Sequence, residues 1–230
     1  MKKHATQTFK QLLVFSVLML MGTLTYGQGR SYIRDKIQER GCRNVAITKS
    51  NGDLMLYGLN GCARSGCPKS LDDAIVELNN NNVYIDDIQL TEKGDWLILY
   101  GDNGFRWSNI PSSLETKMRQ YNSDKEVVTS VTFNDSGDWV IITTEHFSSS
   151  SSEAQEWLKQ GLDDYGALWA VCLTDDAMVA VYEKGYKFLG EVPQSLKDAL
   201  HESNIDVYRL KIAGTSWFFA DKKGHYQYSM

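Results

Sequence analysis

Hydrophobic and polar positions along this chain recur with a period of roughly forty residues, and such a period takes precedence over any single element. Each copy carries a pair of apolar residues two apart: Val45 and Ile47, Ile88 and Leu90, Val131 and Phe133, Val171 and Leu173, Leu210 and Ile212. That spacing is the repeat of a strand with one buried face. Five residues before the second member stand Cys42, Ile85, Val128, Leu168 and Val207, also apolar. A turn follows as Gly94-Asp95-Trp96 and Gly137-Asp138-Trp139. The first copy keeps Gly52-Asp53, the fifth keeps Gly214 and Trp217, and the fourth, at Asp175 and Asp176, has no glycine. Glycine tolerates positive φ and aspartate bonds its neighbouring backbone, so a tight antiparallel connection is expected.

The segment after the turn is apolar almost throughout, as in Trp96-Leu97-Ile98-Leu99-Tyr100, Trp139-Val140-Ile141-Ile142, Met178-Val179-Ala180-Val181-Tyr182 and Trp217-Phe218-Phe219. A strand apolar on both faces is covered on both faces. A second turn ends at Gly61, Gly104, Gly185 and Gly224, and a third strand follows, clearest in Phe105-Arg106-Trp107 and Tyr186-Lys187-Phe188. Between copies, Leu71, Ala74, Ile75 and Leu78 keep the spacing of an amphipathic helix. Leu114 with Met118 and Tyr121, Ala154 with Trp157 and Leu158, Leu196 with Ala199 and Leu200, and Ile33 with Ile37 repeat that signal. Ser70 with Asp73, Ser112 with Glu115 and Ser195 with Asp198 have the spacing of capping boxes. Pro68, Pro111 and Pro193 stand just upstream, and the Ser148–Ser152 run reads as a loose connection.

The expected fold is mainly β with helices: five αβββ repeats at about 30–67, 68–110, 111–150, 151–192 and 193–230. A lone three-stranded sheet cannot cover a two-sided middle strand, so neighbouring units must stack. Radial stacking gives a five-bladed β-propeller-like ring in which a helix replaces the outermost strand. The alternative is an open stack capped by its end units. Val131-Thr132-Phe133 followed by Asn134-Asp135-Ser136-Gly137, and the Asp102-Asn103-Gly104 turn into Phe105-Arg106-Trp107, resemble the WD40-like β-propeller repeats of bacterial secreted proteins. The Gly-His and Trp-Asp dipeptides of those repeats are missing from their places. The resemblance implies a propeller that serves as a binding platform rather than a particular activity.

Residues 1–27 change the picture of where the chain resides. Lys2, Lys3 and Lys10 precede the apolar run Leu12–Met21, and Thr25 and Gly27 are small residues at cleavage-site positions. That order is the pattern of a secretory signal peptide. The expected mature chain is a single repeat domain, 28–230, that is periplasmic or extracellular and does not insert in a membrane. Loss of a leader with three lysines and no acid moves the net charge from −5 to about −8. An acidic chain without a basic cluster is a poor partner for nucleic acid.

Candidate chemistry is sparse. No Gly-x-Ser-x-Gly, His-Glu-x-x-His or phosphate loop is present, so no catalytic residue, metal ligand or cofactor is assigned. His146, His201 and His225 stand without partners at metal or triad spacing. Cys62 and Cys67 replace apolar residues of the other copies and are the disulfide candidates for an exported chain, with Cys42 a buried thiol or alternative partner. The columns where the copies differ are more informative. Asn44, Asp87, Ser130, Ala170 and Arg209 form one, and Ala46, Gln89, Thr132, Cys172 and Lys211 form the other. If the first strand is innermost, these side chains ring a small polar channel. Asp87, Gln89, Arg209 and Lys211 are therefore the ligand-binding candidates, with Trp107 as an aromatic contact on a third strand. The function expected is a non-catalytic binding module for a protein or glycan. The alternatives are a glycan-acting hydrolase with acids near the axis and a structural component of the cell envelope.

Overall fold

The computed structural model describes residues 29–50 and 52–230. The leader expected over residues 1–27 lies outside them. Five helices alternate with five three-stranded antiparallel sheets among the described residues. Helix α1 (Gly29–Arg40) precedes β1 (Asn44–Ile47), β2 (Asp53–Tyr57) and β3 (Gly61–Ser65); α2 (Lys69–Asn80) precedes β4 (Ile85–Leu90), β5 (Trp96–Tyr100) and β6 (Gly104–Ser108). Next come α3 (Ser112–Ser123) with β7 (Val128–Phe133), β8 (Trp139–Thr143) and β9 (Phe147–Ser149), and α4 (Ser152–Tyr165) with β10 (Leu168–Leu173), β11 (Ala177–Tyr182) and β12 (Gly185–Gly190). The last unit is α5 (Gln194–Glu202) with β13 (Arg209–Ala213), β14 (Ser216–Ala220) and β15 (Tyr226–Ser229). Each sheet runs in plain chain order, its middle strand hydrogen-bonded on both sides. Strand β9 corrects the expectation of a loose serine connection: Ser148 and Ser149 pair with Ile141 and Val140.

The turns between first and second strands use different chemistry from the one expected. Gly94 and Gly137 do adopt left-handed φ of 87° and 89°. The side chain that closes the turn belongs to its opening residue and not to the following aspartate. Thr48 Oγ1 accepts from Gly52 N at 2.8 Å, and Asn134 Oδ1 from Asp138 N at 2.8 Å. Thr91 and Thr174 act in the same way. A short polar side chain at the first turn position reaches the backbone four residues on, or three in the shorter fourth turn.

The middle strands decide the packing. Leu54 and Leu56 of β2 meet Ile88 and Ile98 of the second sheet, whereas Met55 between them meets Ala213 and Phe218 of the fifth. Leu97 and Leu99 then meet Val131 and Ile141, Val140 and Ile142 meet Val171 and Ala180, and Val179 and Val181 meet Leu210 and Phe219. Successive residues of one strand thus enter different cores, as the two-residue period requires. Each core also takes in the buried face of one helix, Leu71, Ile75 and Leu78 of α2 for example. The first strands sit side by side in the order β1, β4, β7, β10, β13, and β13 also packs beside β1.

A recurrent hydrogen bond ties helix to sheet. Trp96, Trp139 and Trp217 donate their indole N–H to Ser70 Oγ (3.0 Å), Ser113 Oγ (2.9 Å) and Ser195 Oγ (3.1 Å), each in the first turn of its own unit's helix. All three tryptophans are buried, and the bond satisfies a donor that apolar surroundings would otherwise strand. The expected capping boxes are absent. Pro68, Pro111 and Pro193 occupy the N-caps, and proline offers no side-chain acceptor. Ser70 and Ser195 face the indoles instead, and in the third unit Ser113, next to the expected Ser112, does so. In the first unit, Asp53 holds the tryptophan column and pairs with Arg30 of α1 at 2.7 Å, so an ion pair replaces the latch. The fourth unit has Met178 there, and its helix is capped by Ser151 Oγ accepting from Ala154 N. Substituting Ser113→Ala should destabilise the protein by about 1–2 kcal/mol, because a buried indole N–H loses its acceptor. Ser112→Ala, at the expected cap, should change stability by less than about 0.5 kcal/mol. Urea denaturation of the two variants distinguishes latch from cap.

Candidate functional site

Every first strand begins with an irregularity that places side chains at one end of the molecule. In the second, third and fourth sheets the pairing slips between Ile85 and Asp87, Val128 and Ser130, and Leu168 and Ala170. The extra residues are Asp86, Thr129 and Trp169. The outer two sheets have an equivalent. Arg43 N donates to Leu56 O while Asn44 is the partner of Leu56, and Tyr208 N donates to Ala220 O while Arg209 is the partner of Ala220. Three β-bulges and two matching strand entries therefore stand at the starts of the five strands, and a bulge bends the strand and re-aims the extra side chain. Those side chains are Arg43, Asp86, Thr129, Trp169 and Tyr208, and all five line two adjoining cavities of about 400 and 580 Å³. The two share Asp86, Tyr208, Arg209 and Lys222 and form one mouth.

The mouth is cationic and aromatic. Trp169 and Tyr208 stack at 4.9 Å with planes 12° apart, and Lys222 Nζ lies 4.1 Å from the centre of the Tyr208 ring. Tyr208 thus contacts both the Trp169 ring and the Lys222 ammonium, and Trp169 and Tyr208 both line the mouth. The Arg43 guanidinium lies 4.3 Å from the Tyr84 ring centre and donates to the Ile85 and Leu59 carbonyls, which fixes its position. Burial pulls its pKa down from the ordinary arginine value. Arg209 donates to the Tyr208 carbonyl at 2.9 Å, and among the described residues no carboxylate lies within ion-pairing distance of it. The Asp86 carboxyl is held above the usual carboxylate range by burial, which outweighs the opposing fields of Arg209 and Arg43.

Below the mouth the axis is filled. Lys211 Nζ lies 2.9 Å from Asp87 Oδ1 and donates to Gln89 Oε1 at 3.2 Å, while Asn44 Nδ2 donates to the same Asp87 oxygen at 2.7 Å. Asp87 is 2% exposed and Lys211 7%. Burial alone would raise the Asp87 pKa, but Lys211, Arg209 and the bonds from Lys211 and Asn44 hold it below the ordinary value. Three of the four candidates on the first strands, Asp87, Gln89 and Lys211, are thus brought together: Asp87 and Lys211 neutralise one another in the core, and half-buried Gln89 lines, with Lys211, the small cavity at the other end of the axis. Arg209 alone reaches the mouth. Trp107 stands apart on β6, stacked with Phe105 at 5.1 Å beneath Arg119 of α3.

The opposite end of the axis is stitched shut. Glu92 accepts from Ser50 N, Asp135 from Lys93 N at 3.1 Å, and Asp175 from Ser136 N at 3.0 Å. Each carboxylate holds the turn of the preceding unit, and Lys49 Nζ crosses to Asp176 at 2.6 Å. The cavity at that end is about 60 Å³, enough for a few waters.

The remaining candidates lie away from the mouth or at its edge. All four cysteines are free thiols, so no bond joins Cys62 to Cys67. Burial pushes Cys62 up to about 11 and Cys67 up to about 12, which suppresses the thiolate. The histidines are less isolated than expected: His225 Nδ1 lies 2.6 Å from Asp221 and His146 Nδ1 3.1 Å from Glu126, while His201 packs edge-on to Tyr186. No group of three or more His, Cys, Asp or Glu side chains suited to a metal occurs among the described residues. No protein-family model matches the chain, and no curated protein matches it by sequence.

Arg43, Asp86, Thr129, Trp169 and Tyr208 escaped the sequence reading, although a signal for them exists. Ile85, Ile88 and Leu90 are apolar at spacings of three and then two, and one extra residue between the first pair returns Ile85 to the face of the other two. Substituting Lys211→Met should lower stability by about 3–5 kcal/mol, since the Asp87 carboxylate is left buried without its counter-charge. Adding Asp87→Asn to that variant should restore a large part of the loss in the same urea titration. The acid limb of the stability curve tests the pair separately. A folded-state pKa below the unfolded one gives a contribution that is full above about pH 4 and is lost as pH falls through the folded value. Asp87→Asn should therefore flatten the loss of stability below about pH 4.

Proposed function

We propose that this chain is an exported, non-catalytic binding module, a five-bladed propeller-like ring with a helix in place of each outermost strand, and that it holds a saccharide in the mouth at one end of its axis. Ring closure is supported by the fifth core, in which Met55 of the first unit meets Phe218 of the last. Export is supported by the order of charge, apolar run and small residues over positions 2–27. The observation that carries the binding assignment is the recurrent strand entry, bulged in three units and matched by backbone bonding in the other two. It gathers unlike side chains, one from each unit, around a concave space, which is how a repeat scaffold composes a single asymmetric site. A half-buried Trp169 that lines the cavity suits a sugar ring, and a concave mouth suits a small ligand better than a flat protein surface.

One observation favours a hydrolase as a second assignment. Asp86, with its pKa raised, and Asp221, with its pKa lowered, line the same cavity, and opposed shifts mark an acid and its partner. Asp221, however, already accepts from Lys223 N, His225 N and His225 Nδ1, which leaves it poorly placed to attack or to activate water. A glycan array separates these outcomes. The protein should retain one class of saccharide, and Trp169→Ala should weaken that binding at least about tenfold, as loss of a stacking aromatic does. Trp107→Ala should bind as the parent does. Unchanged retention by Trp169→Ala would overturn the assignment of the mouth, and release of reducing ends that stops in Asp86→Asn would establish the hydrolase instead.

A further inference from the structure

The charge of the mouth opposes that of the chain. Over the whole sequence 29 acids outnumber 24 bases, yet the two adjoining cavities are lined by five arginine or lysine side chains against two aspartates. One aspartate, Asp221, is occupied by three hydrogen bonds from its own turn. The other, Asp86, faces Arg43 and Arg209 without a contact short enough to pair with either among the described residues. Several other cations among the described residues are spent, Arg30 on Asp53, Arg106 on Glu77, Arg119 on Glu115 and Lys211 on Asp87, and of the mouth's own five Arg40 is paired with Glu39. Arg209 keeps four of its five donors unused among the described residues, at the base of a cavity, within reach of the stacked pair Trp169 and Tyr208.

Resting on the saccharide assignment above, we infer that the ligand is an anionic saccharide, whose carboxylate or sulfate lies against Arg209 and Arg43 while a sugar ring lies on Trp169. A guanidinium with free parallel donors binds a planar or tetrahedral oxyanion in a way a neutral hydroxyl does not reward. Lys222, held over Tyr208, adds a third positive charge at the rim. Asp86 sets a limit: its carboxylate repels the same anion, so it trims affinity and disfavours ligands of very high charge density. A long nucleic acid fits less well, because beyond the mouth its phosphates meet an acidic surface.

The test is equilibrium binding of the full chain to oligogalacturonate, to sulfated dextran and to uncharged dextran of matched length, with a short single-stranded RNA as a fourth probe. At least one anionic saccharide should bind about tenfold or more tighter than uncharged dextran, and its affinity should fall with added salt. Whichever of the two binds names the source of the charge. Arg209→Gln should lose about tenfold, the usual effect of removing a charge-assisted hydrogen bond. Asp86→Asn should bind the anionic saccharide more tightly than the parent, a gain that no loss of folding imitates. Equal binding of charged and uncharged dextran, still sensitive to Trp169→Ala, would overturn the anionic ligand and leave the saccharide mouth standing. Failure of every saccharide, or tighter binding of the RNA, would overturn both.

Discussion

Everything in this molecule follows from five strands that are apolar on both faces. A sheet with one apolar face is satisfied by one covering layer, whereas β5, with Leu97 and Leu99 on one side and Ile98 on the other, needs two. The cover available is the next copy of the same sheet, which has the same need. The demand is therefore passed along the chain until the fifth sheet meets the first. Each helix lends an apolar face to the core between its own sheet and the preceding one, as Leu196 and Leu200 do between β11 and β14. Burial of such side chains contributes about 25 cal/mol for each Å² removed from water, the dominant favourable term where the described residues show no disulfide.

The first strand of each unit performs two tasks along its length. Its regular half supplies residues such as Val131 and Phe133 to the cores and sets polar side chains on the axis. There the low polarity of the surroundings forces mutual satisfaction, and Asn44, Asp87, Gln89 and Lys211 end as one hydrogen-bonded group. The bulged start of the strand escapes that constraint. Its extra residue lies at the end of the ladder with space before it, so Arg43 and Trp169 are oriented without being enclosed. Rigidity comes from the sheet and identity from a position that packing does not dictate.

Much of the architecture was legible from sequence because it is repeated. Five copies of an apolar pair two residues apart, and a two-sided segment after each turn, leave few folds open. The faults were local. Ser148 and Ser149 lack the apolar character of a strand, yet β9 forms because Val140 and Ile141 offer it unpaired backbone. Ser70 and Ser195 matched a capping pattern, but proline already held the caps and buried indoles needed acceptors. The site was half visible. The variable columns pointed to the axis, but variability does not say whether a polar residue meets solvent or another polar residue, and for Asp87 and Lys211 only the geometry across two units decides. The mouth was missed because only the apolar pair two residues apart was read as strand, and the odd spacing back to Ile85 was not read as the mark of an extra residue.

Near-identical units carry a hazard of their own: any unit can in principle dock where a sibling belongs, within one chain or between two. The apolar cores discriminate poorly, since leucine, isoleucine and valine recur in every copy. The Lys211 ammonium does discriminate, because only the second unit carries an aspartate in the facing column and only the first an asparagine to share it. A shifted or exchanged order would leave that ammonium dry and unopposed, a penalty of about 3–5 kcal/mol. The ion pair at the centre thereby acts as a keying element for the order of the units, distinguishing one arrangement of look-alike parts from the rest.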